Sequence, residues 1–580
     1  MTQARAPSPT HGPRIVAEGE VEFSLWAPDA QSVALAFENG PEIQMQKGAG
    51  GMFSLRAKAA PGDAYRFLIN GETKVPDPAA HAQAADVHGP SLVIDHAFAW
   101  KNPSWTGRPW HESVIYELHP GALGGFSGIA AELPRLKSLG FTAIELMPIA
   151  DFPGAHNWGY DGVLPFAPDA RYGTPHDLKT LIDTAHGLGL QIFLDVVYNH
   201  FGPDGNYLNA YAKSFFREDQ HTPWGNAIDF RKREVRDFFI GNALFWLNTY
   251  RFDGLRFDSV HAIDDHDFLL EMAAAIRAET PGRHIHLILE NEHNDATLLN
   301  NAAETQKYDA QWADDWHHCA HVLLTRESEG YYEDFQNPAE QLARCLAEGF
   351  AYQGDPSPHH GNHPRGTDSK DHPATAFIIC LQNHDQIGNR AMGERLRSLA
   401  HPDALRAAIA LLLFTPQIPM MFMGEEFGET RPFLYFTDHH DELGKLVTQG
   451  RRKEFAHFAA FTHPETREKI PDPNARATFE ASRPQVTQNA WSELVKTCLA
   501  LRHKHITPRM PNAATLGASA LSAHAVRAAW RMGDGAILTL ATNFDSNPAP
   551  CEKVDGNLLY GPALQSGMLA PLTTCFWLKP

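Results

Sequence analysis

Eight short apolar runs punctuate residues 114–423: Val114–Leu118, Ala143–Met147, Gln191–Val197, Gly254–Phe257, His286–Leu289, Tyr308–Gln311, Ala376–Leu381 and Ile418–Met423. Between them lie segments whose apolar residues recur every three or four positions, as in Ile129, Leu133, Leu136 and Leu139, or Leu178, Leu181, Ile182 and Ala185. Strand patterns alternating with helical ones signal βα units and a parallel sheet. Eight such units fit a closed (β/α)8 barrel, in which active sites are built at the C-terminal ends of the strands. The predicted fold class is therefore α/β, a TIM barrel with a β-domain on either side.

The flanks have a different texture. Before residue 98, short runs such as Val21–Trp26, Ser32–Phe37, Met52–Arg56 and Ala64–Ile69 are separated by turn residues, Pro61-Gly62-Asp63 and Asn70-Gly71 among them. Residues 1–97 are predicted to form an immunoglobulin-like β-sandwich of the carbohydrate-binding type. The barrel with its loop insertions takes 98–488, and an antiparallel β-domain takes 489–580. A polar, aromatic-rich insertion over 200–230 follows the third strand, where long loops belong to the site rather than to the scaffold.

A formal net charge of −20 offers no basic stripe to neutralise phosphates, which argues against nucleic acid as a partner. No run approaches the roughly 18 apolar residues of a membrane span, and Met1–Arg14 has no apolar leader core, so no membrane partner is expected. The six cysteines are scattered without a C-x-x-C pair, a usage that suits a reducing compartment. A cytoplasmic protein is expected.

Three of the strands end in a carboxylate. Asp258 follows Gly254-Leu-Arg-Phe, Glu290 follows Leu287-Ile-Leu, and Asp385 lies in Gln382-Asn-His-Asp-Gln. Glycoside hydrolysis needs a carboxylate on one side of the scissile bond and a carboxylic acid on the other. Arg256 and Asp258 are two apart on a strand and so point to the same side. A neighbouring cation would keep Asp258 ionised, as a nucleophile must be. Glu290, farther from that cation, is expected to hold a raised pKa and donate a proton. Glu292 competes with Glu290 on spacing alone.

These segments, with Asp195-Val-Val-Tyr-Asn-His200, resemble the signature regions of the alpha-amylase superfamily of retaining glycoside hydrolases. The resemblance covers essentially the whole chain and selects Glu290 over Glu292. It implies Asp258 as nucleophile, Glu290 as acid/base and Asp385 as transition-state stabiliser. It also implies that His200, Arg256 and His384 bind the sugar that forms the covalent intermediate, with Tyr160 as its aromatic platform; His261, shortly after Asp258, is a further substrate-binding candidate. An amylase-type calcium site needs further oxygen ligands that find no place here, so neither metal nor other cofactor is expected.

Within the superfamily, Tyr308-Asp-Ala-Gln-Trp-Ala-Asp-Asp-Trp-His-His-Cys-Ala-His321 and Pro432-Phe-Leu-Tyr-Phe-Thr-Asp-His439 resemble the members that release trehalose. The implied substrate is maltooligosyltrehalose, and the implied reaction cuts the α-1,4 bond next to its terminal trehalose. Asp314, Asp315, His317, His318, Tyr435, Asp438 and His439 are candidates for binding that disaccharide. A functional pairing with maltooligosyltrehalose synthase, which makes the substrate, follows from the same resemblance. The segment Tyr116-Glu-Leu-His-Pro-Gly-Ala-Leu departs from the usual pattern after its His, and the loop from Glu290 to Tyr308 is short for the group. Glycogen branching enzymes share the layout and the three carboxylates, and a catalytically inactive glucan-binding barrel is the alternative from another class.

Overall fold

The computed structural model describes residues 11–222, 224–301 and 304–580. The eight barrel strands are β1 (Ile115–Leu118), β2 (Ala143–Leu146), β3 (Gln191–Val196), β4 (Gly254–Phe257), β5 (His286–Leu289), β6 (Ala310–Trp312), β7 (Phe377–Cys380) and β8 (Ile418–Phe422). They close in chain order into a parallel barrel, with β8 returning to β1 through Ile115 opposite Met420. Every residue of all eight strands is buried. This follows from the architecture, since helices cover the outer face and packed side chains fill the inside. Glu117, Glu145, Asp195 and Arg256 break the apolar composition of these strands. Their side chains are held inside the barrel, under the functional face.

The outer helices explain their own sequences. Pro175–Gly187 begins at a reciprocal capping box between Thr174 and Asp177, with proline in its first turn. Pro402–Phe414 is almost wholly apolar because it is covered on two sides. The barrel lies beneath it, and above it runs the C-terminal sheet, whose Thr574 Oγ1 donates to the Ala407 carbonyl at 2.7 Å.

Before the barrel, a four-stranded and a five-stranded antiparallel sheet face each other across Phe23, Phe37 and Tyr65. After it, a five-stranded antiparallel sheet is built from Ala514–Ser522, Ala525–Arg531, Ile537–Asn543, Thr573–Lys579 and Asn557–Tyr560. A boundary at 489 assigns helix Ala490–Leu501 to this last unit. The helix instead packs on Gly125–Leu139 and Pro402–Phe414, in the barrel's outer ring, and the sheet starts only at Ala514. The insertion after β3 contains a two-stranded ribbon, Phe216–Thr222 with Gly225–Ile228. Among the described residues no helix is long and apolar enough to cross a membrane.

Candidate active site

Arg256 of β4 is the hub of the barrel's C-terminal mouth. It is fully buried, and its Nη1 donates to Asp195 Oδ1 and Oδ2 at 2.9 and 2.8 Å and to Asp258 Oδ1 at 2.8 Å. The strand register sets Asp195 directly beside Arg256, so the first pairing is a property of the ladder itself. The Trp312 ring lies 4.2 Å from the guanidinium carbon and closes off its face. Burial opposes the charge on Arg256, but the carboxylates of Asp195, Glu290 and Asp258 outweigh it and hold the arginine firmly protonated. Burial pushes Asp195 up to about 7, with Arg256 pulling against it.

Asp258 has both oxygens engaged, Oδ1 by Arg256 and Oδ2 by Asn199 Nδ2 at 2.9 Å. Charge-assisted bonds of this kind fix a carboxylate in one orientation. Glu290 does not stand apart from the cation as its sequence position suggests. Its Oε2 lies 2.8 Å from Arg256 Nη2, an ion pair whose angles fall outside hydrogen-bond geometry. One guanidinium thus touches both members of the candidate pair, and distance from it does not separate their roles. Ser259, next to Asp258, adopts left-handed backbone (φ 40, ψ 51), which a non-glycine residue rarely does. There its N–H donates to Glu290 Oε2 at 2.8 Å, tying the two carboxyl groups together through the backbone.

The opposite wall is built from His384 and Asp385. The two rings of Tyr160 and His384 stack at 5.1 Å, and the Tyr160 hydroxyl lies 2.8 Å from His384 Nε2 while donating to Asp195 Oδ2 at 2.7 Å. The short helix His384–Gly388 approaches Trp158 so closely that a Cβ on Gly388 would sit 2.0 Å from the indole. Only glycine fits there. Asp385 lies at the mouth with its side chain 35% exposed but is otherwise ringed by protein. That enclosure raises its carboxyl, helped by the Glu290 charge and opposed by His384. His200 faces two acceptor oxygens, Asn199 Oδ1 2.6 Å from its Nδ1 and the Tyr160 carbonyl 2.9 Å from its Nε2.

Trp224 is a site residue the sequence did not single out. It lies in the turn of the ribbon after β3, is 44% exposed, and stacks on His200 with centroids 4.0 Å apart and planes 12° apart. The aromatic content of the insertion was the only signal for it.

The remaining candidates divide. Asp314 opens the first turn of helix Asp314–Thr325, half-buried, with burial and the charges of Glu290 and Asp385 lifting it to about 8. His261 stands at the rim, 3.6 Å from Glu292. His318 packs among Tyr331, Tyr332 and Phe335, its Nδ1 without a hydrogen-bond partner, and burial drives its pKa well down. Asp315 and His317 turn inward. Asp315 accepts from Asn294, from the Ala351 and Tyr352 amides and from Arg365, while His317 bonds the Leu381 carbonyl at 2.6 Å. Four protein donors engage the Asp315 carboxylate, and its complete burial closes it to a sugar hydroxyl.

On the loop after β8, Asp438 accepts from the Ala155 amide at 2.6 Å and His439 lies 3.3 Å from Asp161. Tyr435 packs edge-on to Trp158 and beneath Arg451. These three staple that loop to the loop carrying Tyr160. Among the described residues no group of three His, Cys, Asp or Glu side chains is arranged to hold a metal ion.

Residues 96–242 match the family model of the alpha amylase catalytic domain. With a closed barrel and paired carboxyl groups at its mouth, the protein is a glycoside hydrolase of the alpha-amylase class. The chain is 40% identical over 522 residues to malto-oligosyltrehalose trehalohydrolase of Deinococcus radiodurans, covering 86% of this chain and 85% of that one. It is 40% identical over 456 residues to the Saccharolobus solfataricus protein of the same name, covering 75% and 79%. Its structure superposes on that of a candidate alpha amylase from Salmonella typhimurium with a TM-score of 0.93 and 40% identity, over 98% of this chain and all of that one. A 1,4-alpha-glucan branching enzyme of Mycolicibacterium paratuberculosis matches only 41% of the chain, at 33% identity. The chain belongs to the malto-oligosyltrehalose trehalohydrolase family.

Proposed function

We propose that the protein cleaves the α-1,4 bond next to the terminal trehalose of maltooligosyltrehalose, with retention of configuration, releasing free trehalose and a shorter maltooligosaccharide. The similarity to relatives named for that reaction, over 86% of this chain for the Deinococcus radiodurans protein, carries this reading. Asp258, oriented by Arg256 and Asn199, attacks the anomeric carbon as Glu290 gives its proton to the glycosidic oxygen, and trehalose leaves. Glu290 then takes a proton from water, which attacks the same carbon and frees Asp258. Asp385 stabilises the oxocarbenium-like transition state. Tyr160, His200, His384 and the Trp224 ring enclose the reacting sugar.

On the leaving-group side, Asp314 and His318 are the groups we assign to trehalose. Asp315 and His317 support that wall from behind, while Tyr435, Asp438 and His439 hold the loop that carries Tyr160. We place the enzyme in the cytoplasm, where all six cysteines stay as buried free thiols, and after a synthase that supplies its substrate. The test is product chromatography with maltotriosyltrehalose, and with amylose in parallel. Trehalose and maltotriose with little change in amylose are expected. Intact maltotriosyltrehalose and new α-1,6 branches in amylose would move the protein to the branching enzymes.

A further inference from the structure

Glu117 on β1 lies beneath the candidate site and takes no direct part in bond cleavage. Its carboxylate meets His384 twice. Oε1 pairs with the ring Nδ1 in a very short contact, and Oε2 accepts from the His384 backbone N–H at 3.2 Å. Both side chains are 1% exposed. Two bonds from one carboxylate fix both the backbone entry of His384 and the rotation of its ring. They leave Nε2 pointing at the Tyr160 hydroxyl, 2.8 Å away, with Asp385 at 3.6 Å. We propose that Glu117 is a positioning residue: by holding Nδ1 it keeps His384 a cation that donates through Nε2 at the sugar-binding wall.

The surroundings fit this assignment. A buried imidazole ordinarily loses its proton. Burial does work against His384, but the charges of Glu117 and Asp385 and the bond to Glu117 overcome it and lift the ring to about 9. Arg256 on β4 opposes the cation, while Asp195 on β3 and Glu145 on β2 face it with acidic groups. Burial and the charges of Glu117 and Asp195 push Glu145 well up, so it stays neutral at the barrel floor. His119, after β1, is buried and lowered to about 4, so it adds no charge. Glu117 is therefore the group that compensates His384 from below.

This inference rests on the reading of the Asp258–Glu290–Asp385 cleft as the hydrolytic site. Glu117→Gln keeps the shape and removes the charge. Its kcat/KM on maltotriosyltrehalose should fall about 10- to 100-fold, the worth of one charged hydrogen bond. The loss should deepen as pH rises from 6 to 8.5, where the unsupported imidazole is neutral. In a His384→Gln background the same change should cost under about threefold, because Glu117 acts through that ring. Equal losses in both backgrounds, or a loss independent of pH, would overturn the proposal. If Glu117→Gln does not fold, wild type decides the matter. A far-downfield imidazole proton, absent from His384→Gln and persisting to pH 8.5, is expected, and His384 titrating near 6.5 would refute it. A wild type inactive on the substrate would instead refute the assigned function, and the His384 titration would still test Glu117 separately.

Discussion

Asp314 and Asp315 are neighbours in sequence, and the structure gives them opposite tasks. Asp315 is fully buried and serves Arg365, 8% exposed, through Oδ1 and three other donors through Oδ2. In Asp315→Asn one oxygen becomes an NH2 group, so either the guanidinium or the three donors face another donor, and the charge opposite Arg365 is gone. Breaking a buried ion pair costs about 3–5 kcal/mol. Spread over a cooperative barrel of roughly 400 residues at about 2 cal/mol/K each, that lowers Tm by about 5 °C. Asp314 is half-buried and faces Glu290 and Asp385. Asp314→Ala should shift Tm by less than about 1 °C, as partly exposed substitutions do. It should lower kcat/KM on maltotriosyltrehalose about tenfold through one lost hydrogen bond. Differential scanning calorimetry with initial-rate trehalose release reads both variants. An Asp315→Asn protein that melts like wild type yet loses activity would refute the reasoning, because Asp315 would then be touching substrate.

Asp258→Asn and Glu290→Gln should each lose at least about 10³-fold in kcat with the melting curve unchanged to within a few degrees, measured by trehalose release. His384 lies near 9 in the fold against an ordinary 6.5, so its proton stabilises the native state fully below pH 6.5. That contribution, of order 3 kcal/mol, is lost as pH rises through 9. Urea titrations from pH 6 to 9.5 should show stability falling across that window in wild type and a flatter line in His384→Gln. Trp224→Ala should raise KM several-fold and change kcat little, since the stacked ring contributes surface rather than a proton. An unchanged KM would remove Trp224 from the site.

The barrel was legible because its strands are short apolar runs whose period differs from that of the helices between them. The eight expected runs overlap the eight observed strands, with ends displaced by at most two residues, as Tyr308–Gln311 against Ala310–Trp312 shows. The position of Asp258, Glu290 and Asp385 at the barrel mouth was legible because each lies at or just beyond the C-terminal end of such a run. The direction of Asp315 and His317 was not, since one residue along a helix turns a side chain by about 100° and tertiary packing alone sets which way the helix faces. Arg256 reaching Glu290 was hidden for a similar reason, as pairing between adjacent strands depends on their register. Glu117 and Glu145 did carry a signal, being acidic residues inside buried runs, where charge is rare unless paired. Trp224 lies 24 positions from His200 in a ribbon turn, and no local pattern links the two.

Bond specificity and stereochemistry can be read together in one proton NMR time course of wild type acting on maltotriosyltrehalose. It resolves trehalose and both anomers of the new maltotriose end before mutarotation mixes them. Free trehalose appearing together with maltotriose that is first α is the predicted result, and it joins bond specificity to a nucleophilic Asp258. Maltotriose appearing first as the β anomer, or substrate consumed without trehalose, would contradict it.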